Sequence, residues 1–155
     1  MYTTFEFYRD VYYGNKLEEK DFNKVIPKAE SIIARYTFDN VTEAKINRYP
    51  KELIEKIKRC ACELSDFCND VDKVNSEILS NNNGGLGLIK SKKAGEVTVS
   101  YSTSNFLTSY IRPNNIKVKY KSILNDYLYP QCIGGKFYNL LSWVTNSVCN
   151  KNNII

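Results

Sequence analysis

From Leu53 to Ile78 the chain repeats one pattern. Leu53, Ile54, Ile57, Cys60, Ala61, Leu64, Phe67, Cys68, Val71, Val74 and Ile78 all fall on one face of a helix. Apolar residues at intervals of three and four mark an amphipathic α-helix. Unbroken, this one would run roughly 45 Å. A stripe that long needs cover from other helices along most of its length, because helical stability in water comes mainly from burying such a face. Pro50 suits the first turn, where no amide partner is required. Glu52→Lys56 and Glu55→Arg59 are i,i+4 pairs in the favourable order, each contributing about 0.3 kcal/mol.

The second helix and a later one are the expected cover, and a short helix precedes them. Thr3-Thr4-Phe5-Glu6 reads as a helix start in which Thr3 caps the amide of Glu6 and Glu6 reaches back to that of Thr3. Phe5, Tyr8 and Tyr12 form its stripe, and Gly14 is the expected left-handed stop after Tyr12 or Tyr13. A second helix begins near Glu18, with Glu18, Glu19 and Asp21 placed to suit the helix dipole. Phe22, Val25, Ile26, Ala29, Ile32, Ile33 and Tyr36 make its apolar face. Pro27 lies inside it and predicts a kink or a break, and Asp39-Asn40 ends the segment.

The chain changes character at Asn81-Asn82-Asn83-Gly84-Gly85-Leu86-Gly87. Residues 1–80 carry 13 basic and 15 acidic side chains, a net of −2; residues 81–155 carry 9 and 2, a net of +7. Beyond this joint, 86–91 and 96–101 flank Lys92-Lys93-Ala94-Gly95. Val97, Val99 and Tyr101 alternate with Glu96, Thr98 and Ser100, which predicts a β-hairpin with a four-residue turn. Two strands alone are only marginally stable, so the hairpin needs a neighbour. Residues 102–115 read as loop, with a short helix at Phe106–Tyr110. Ile116, Tyr120, Ile123, Leu124, Tyr127 and Leu128 predict a helix from about 116 to 129, ended by Pro130. Gly134-Gly135 then frees a final segment, followed by a loose tail from Cys149 to Ile155. The fold class is therefore mainly α: about four helices, an inserted hairpin or long loop, and a C-terminal arm. It is read as one domain, with a helical body over about 1–80 and 116–130, an insertion over about 84–115 and an arm over about 131–155.

Composition narrows the chemistry. Charged residues are 25% of the chain and hydrophobic ones 43%, as in soluble domains, and no apolar run approaches the roughly 20 residues that span a bilayer. The N-terminus lacks a basic region followed by an apolar one, so no signal peptide is expected. Cys60, Cys62, Cys68, Cys132 and Cys149 lack metal-site spacing and read as buried thiols rather than bridges; on a helix Cys60 and Cys62 are about 200° apart and cannot hold one ion together. The chain has no histidine, which removes serine–histidine and cysteine–histidine nucleophile pairs. No catalytic residue, cofactor or metal is expected. The Gly84-Gly85-Leu86-Gly87 stretch lacks the Gly-Lys-Ser/Thr ending of a phosphate loop and reads as a joint.

Two groups are candidate contacts. Lys90, Lys92 and Lys93 beside the hairpin turn, with Lys117, Lys119 and Lys121 further on, form either a solvated surface or a contact for phosphates or an acidic partner. Phe137, Tyr138, Leu140, Leu141 and Trp143 either close the core or form an arm that enters a neighbouring subunit, tryptophan being a common interface anchor.

The order of elements resembles a known family. Tyr2-Thr3-Thr4-Phe5-Glu6-Phe7-Tyr8 runs to Tyr13-Gly14, then come Glu18-Glu19-Lys20-Asp21-Phe22 and Lys28-Ala29-Glu30-Ser31-Ile32-Ile33, ending at Tyr36-Thr37-Phe38. The long helix follows, then Ala94-Gly95-Glu96-Val97-Thr98-Val99-Ser100-Tyr101-Ser102 and Ile123-Leu124-Asn125-Asp126-Tyr127-Leu128. Over roughly residues 2–101 and 120–132 this set is similar to the head–tail connector (adaptor) proteins of tailed bacteriophages and of related defective prophages in Firmicutes. It departs from them around 103–115 and beyond 133. The resemblance implies a non-enzymatic virion protein of the neck, made in the host cytoplasm. It would assemble as a ring, typically of twelve copies, beneath the portal protein. There it would extend the channel for double-stranded DNA and dock a tail or stopper protein, with no role at a membrane. A small basic nucleic-acid-binding protein of a phage or mobile element is the alternative expectation, resting on the basic second half.

Overall fold

A computed structural model of the chain describes residues 1–83, 92–94, 97–99 and 112–141, with side chains described over 1–76 and 112–141. The fold is mainly helical, as the sequence predicts. Four α-helices lie among the described residues: α1 (Phe5–Asp10), α2 (Glu19–Tyr36), α3 (Lys51–Asn83) and α4 (Pro113–Leu128). A 3-10 turn at Ile46–Arg48 precedes α3. Two antiparallel hairpins complete them, β1 (Lys92–Ala94) with β2 (Val97–Val99) and β3 (Gln131–Ile133) with β4 (Lys136–Tyr138).

The chain divides into two compact units, Met1–Cys68 with Tyr120–Ile155, and Asn69–Lys119. The part set apart is larger than the insertion expected from the sequence, for it takes in the second half of α3 and the first half of α4.

In the first unit α1 is short but heavily packed. Tyr8 is fully buried, with its ring 5.0 Å from that of Phe22, 5.7 Å from Tyr12 and 6.0 Å from Phe5. The cap falls one residue later than expected. The Thr4 hydroxyl, not that of Thr3, accepts from the Phe7 amide at 3.4 Å. Thr3 is buried, and its amide and that of Tyr2 donate to Glu30 Oε1 at 3.0 and 2.9 Å. The carboxylate that ties down this end therefore comes from α2, which local spacing cannot reveal. The left-handed stop is also displaced: Tyr13 takes it, at φ 61°. Gly14 serves a different need, since a Cβ there would meet the Tyr8 ring at 2.2 Å.

Of the kink or break expected at Pro27, helix α2 shows no break and runs on through the proline. Pro27 and Asn23, whose carbonyl loses an amide donor, both face solvent, where water replaces the lost bond. Phe22, Val25, Ile26, Ala29, Ile32 and Ile33 are buried, as the stripe predicts.

Helix α3 begins on Pro50, whose carbonyl accepts from Leu53 and Ile54 at 3.0 Å. From Leu53 to Cys68 its stripe is buried, apart from half-buried Ile54, and between Cys60 and Cys68 so are Ser65 at the edge of the stripe and Cys62 and Asp66 on the far side. Cover on more than one side explains how two cysteines about 200° apart are both buried. Helix α1 lies on one side, with Tyr8 on Asp66 and Lys58 over the Phe7 ring at 5.4 Å. Helix α4 lies on another, with the Tyr120 ring edge-on to Phe67 at 5.6 Å. Ser65 bonds back to the Ala61 carbonyl at 2.8 Å, so its hydroxyl is satisfied within the helix.

Helix α4 starts at Pro113, three residues before the periodicity suggested, with proline as its first residue. Ile123, Leu124 and Leu128 face the core. After Pro130 the chain does not run free. Gly134 and Gly135, at φ 56° and 76°, form the two-residue turn of the β3–β4 hairpin, paired as Gln131↔Tyr138, Cys132↔Phe137 and Ile133↔Lys136. Positive φ at both turn residues suits the twist of the flanking strands. The expected arm is thus a hairpin over its first eight residues. Leu140 and Leu141 beyond it are buried. Cys132 is exposed on β3, against the expectation of a buried thiol.

In the second unit, β1 and β2 pair as Lys92↔Val99, Lys93↔Thr98 and Ala94↔Val97. Only residues 95–96 lie between the paired positions, so Lys92 and Lys93 belong to a strand and not to a four-residue turn. The short helix expected at Phe106–Tyr110 and the tail from Cys149 lie outside the described residues.

Candidate functional site

The interior of the first unit holds a cluster of polar groups. The Tyr8 hydroxyl donates to Asp66 Oδ1 at 2.7 Å and accepts from the Lys16 amide at 3.2 Å. Asp66 is 8% exposed. Burial first, and the Asp66 carboxylate second, push the Tyr8 phenol far above its usual range. Tyr12 is raised by burial and Asp66; Tyr127 is raised by burial and its bond to Glu63. The Cys62 thiol is pushed up to about 12 by burial and Asp66, and Cys60 is well above its usual value through burial. Buried thiols whose ionisation is disfavoured are poor nucleophiles near neutral pH. The cluster ties α1, α3 and α4 together by closed hydrogen bonds.

The surface offers a groove of about 600 Å³. Helix α3 lines it with Glu52, Glu55, Lys56 and Arg59; the end of α4 and the start of β3 add Asp126, Tyr127, Tyr129, Pro130 and Gln131. Its size is within the range of small ligand sites, about 300–1,000 Å³. Arg59 Nε and Nη2 donate to Glu55 Oε1 at 3.0 and 2.9 Å, the i,i+4 pair read from sequence. Lys56 does not answer Glu52 as expected; its Nζ donates to Gln131 Oε1, which fastens β3 to α3. Two tyrosine rings and a proline wall one side, and the opposite rim is charged.

The second surface feature is Phe38. Helix α2 ends in a Schellman motif: the Asp39 amide bonds to the Ala34 carbonyl at 2.8 Å, and buried Thr37 donates to the Ile33 carbonyl at 2.9 Å. In that motif the residue after the C-cap is left-handed and is usually glycine. Here it is Phe38, at φ 50°, and Asp39 follows at φ 55°. A bulky residue in this conformation costs about 1–2 kcal/mol. The Phe38 ring is 73% exposed, so burial returns little of that cost. Tyr13, at φ 61°, is 80% exposed.

Of the residues singled out from sequence, Lys92 and Lys93 lie in β1 of the second unit, and Lys90 and Trp143 lie outside the described residues. Phe137 is exposed on β4, and Tyr138 is half-buried with its ring edge-on to Tyr49 at 6.2 Å. Leu140 and Leu141 belong to the core of the first unit. Lys117 and Lys119 are exposed on the first half of α4. The groove and Phe38 were missed. A signal for Phe38 was present, since Asp and Asn directly after an aromatic helix end favour left-handed and turn conformations. The groove had none, because its walls are 70 residues apart in the chain. No family model, curated protein or solved structure matches the chain.

Proposed function

We propose that the chain is a structural subunit of a phage neck, a head–tail connector that assembles as a ring beneath a portal protein, extends the DNA channel and docks a tail or stopper. The reading rests on the ordered sequence resemblance. The observation that supports it is the order of elements among the described residues: three helices, then a hairpin in a separate compact unit, then a helix that returns to the first unit. A ring subunit acts by geometry, and it needs exposed apolar side chains for neighbours to cover. Phe38, Val118 and Tyr129 are exposed side chains of that kind. The β1 lysines would face packaged DNA or acidic portal residues, and the chain would carry out no catalysis.

Mixing the protein with the cognate portal, and imaging the product by electron microscopy, tests this. A stacked ring is expected, and portal rings left bare would overturn the reading. Reversing Lys92 and Lys93 to glutamate should impair assembly or DNA retention; unchanged behaviour would remove those lysines from the proposal.

A second reading, a small nucleic-acid-binding protein, draws on the exposed Arg112, Lys117 and Lys119 and the absence of an acidic residue in the first turn of α4. It predicts duplex affinity that falls steeply with salt in a protein that stays monomeric.

A further inference from the structure

We propose that the groove between α3, the end of α4 and β3 is the seat for Phe38 of a second copy of this chain. The proposal rests on the connector reading for the kind of partner, and names the contact that would join neighbours. Two independent observations carry it. One is the occupant: an aromatic ring held in solvent, in a backbone slot that suits glycine, is best explained by a surface that covers it. The other is the seat: a groove of about 600 Å³ walled by Tyr127, Tyr129 and Pro130 suits a ring.

Charge decides between a second copy and an unrelated ligand. The groove carries three carboxylates, from Glu52, Glu55 and Asp126, against two cations, Lys56 and Arg59. Arg59 is engaged by Glu55 and Lys56 by Gln131. Phe38 is flanked by exposed Arg35 one turn earlier and by Lys45, whose Nζ donates to the Asp39 carbonyl at 2.7 Å; the exposed Asp39 carboxylate next to it offsets one of these two cations. A ring with one net positive charge around it complements an aromatic groove with one carboxylate in excess. Both features lie in the first unit, on different elements, so one copy offers a knob and a hole at separate places.

The test uses the full chain in analytical ultracentrifugation, with reductant to keep Cys132 a thiol. The native protein should associate as concentration rises. Phe38→Gly should raise Tm by about 3 °C while weakening association at least tenfold. Tyr129→Ala should weaken association to a similar degree. Tyr13→Gly, which relieves an equally exposed left-handed aromatic, should leave association unchanged. Mixing the Phe38→Gly and Tyr129→Ala chains should restore pairing that neither shows alone, because one brings an intact groove and the other an intact knob. A native chain that stays monomeric at about 1 mM, Phe38→Gly chains that associate like the native protein, or a mixture that fails to pair would each overturn the proposal. Phe38→Gly chains that still form rings on the portal would sink this contact and leave the connector reading standing.

Discussion

The two halves of α3 carry the same apolar period and meet different fates. From Leu53 to Cys68 the stripe is almost wholly buried, and Ser65 at its edge and Cys62 and Asp66 on the far side are buried with it. Past the boundary at Asn69, Val71 is buried, Val74 is half-buried, and Asp72, Lys73, Asn75 and Ser76 are exposed. Helix α4 changes in mirror order. Pro113 to Lys119 is exposed but for half-buried Ile116, and Ile123, Leu124 and Leu128 are buried. Periodicity therefore reports that a helix has an apolar face; what covers the face depends on segments distant in sequence.

The largest expected effect tests that contrast directly. Leu64→Ala should cost about 3 kcal/mol and Val74→Ala less than about 1 kcal/mol, read from urea unfolding. Equal losses would erase the distinction between the halves. Next, Gly14→Ala should destabilise by about 2 kcal/mol, since its Cβ would sit 2.2 Å from the Tyr8 ring in the packed region. Gly134→Ala, where φ is 56° and nothing lies within 4 Å, should cost about 1 kcal/mol from backbone conformation alone. The reverse order would mean that Tyr8 yields easily.

A third comparison sets buried against half-buried phenols. Tyr8→Phe removes a donor from Asp66 and an acceptor from the Lys16 amide, at about 2 kcal/mol. Tyr127→Phe, on a less buried ring, should cost about half that. The smallest effect appears only in alkali. Cys62 is raised from 9.0 to about 12, so its thiol ionises first in the unfolded chain. Stability therefore falls as pH rises from about 9 towards 12, and is untouched below that window. Cys62→Ala should shallow that slope and leave the pH 7 value within about 1 kcal/mol of the native one. An unchanged slope would place Cys62 in contact with water.

How legible the sequence was follows the same division. The stripes of α2 and of the first half of α3 were readable because one face of each is packed. Cys62 and Asp66 were not readable as buried residues, because the bodies covering them, α1 and α4, lie some 60 residues away on either side. The Thr3 cap failed for the same reason: Glu30 of α2 took the Thr3 amide that a local capping box would use, and that of Tyr2 beside it. Gly134-Gly135 was read as a release when it makes a tight reversal, since paired glycines permit both and only the flanking strands decide. The candidate site shows the widest gap. Lysines and late aromatics drew attention by composition, whereas the groove exists only once α3 and β3 meet.

One hydroxyl sets an order of events. A phenol has a single proton, and that of Tyr8 goes to Asp66, 58 positions later, while its lone pair receives the amide of Lys16. Closing a loop of that span is entropically slow and uphill until the distant partner arrives. A ribosome releasing this chain must therefore extrude residue 66 before the first helix and the strap behind it can lock. The amino-terminal end is made first but must wait for residue 66.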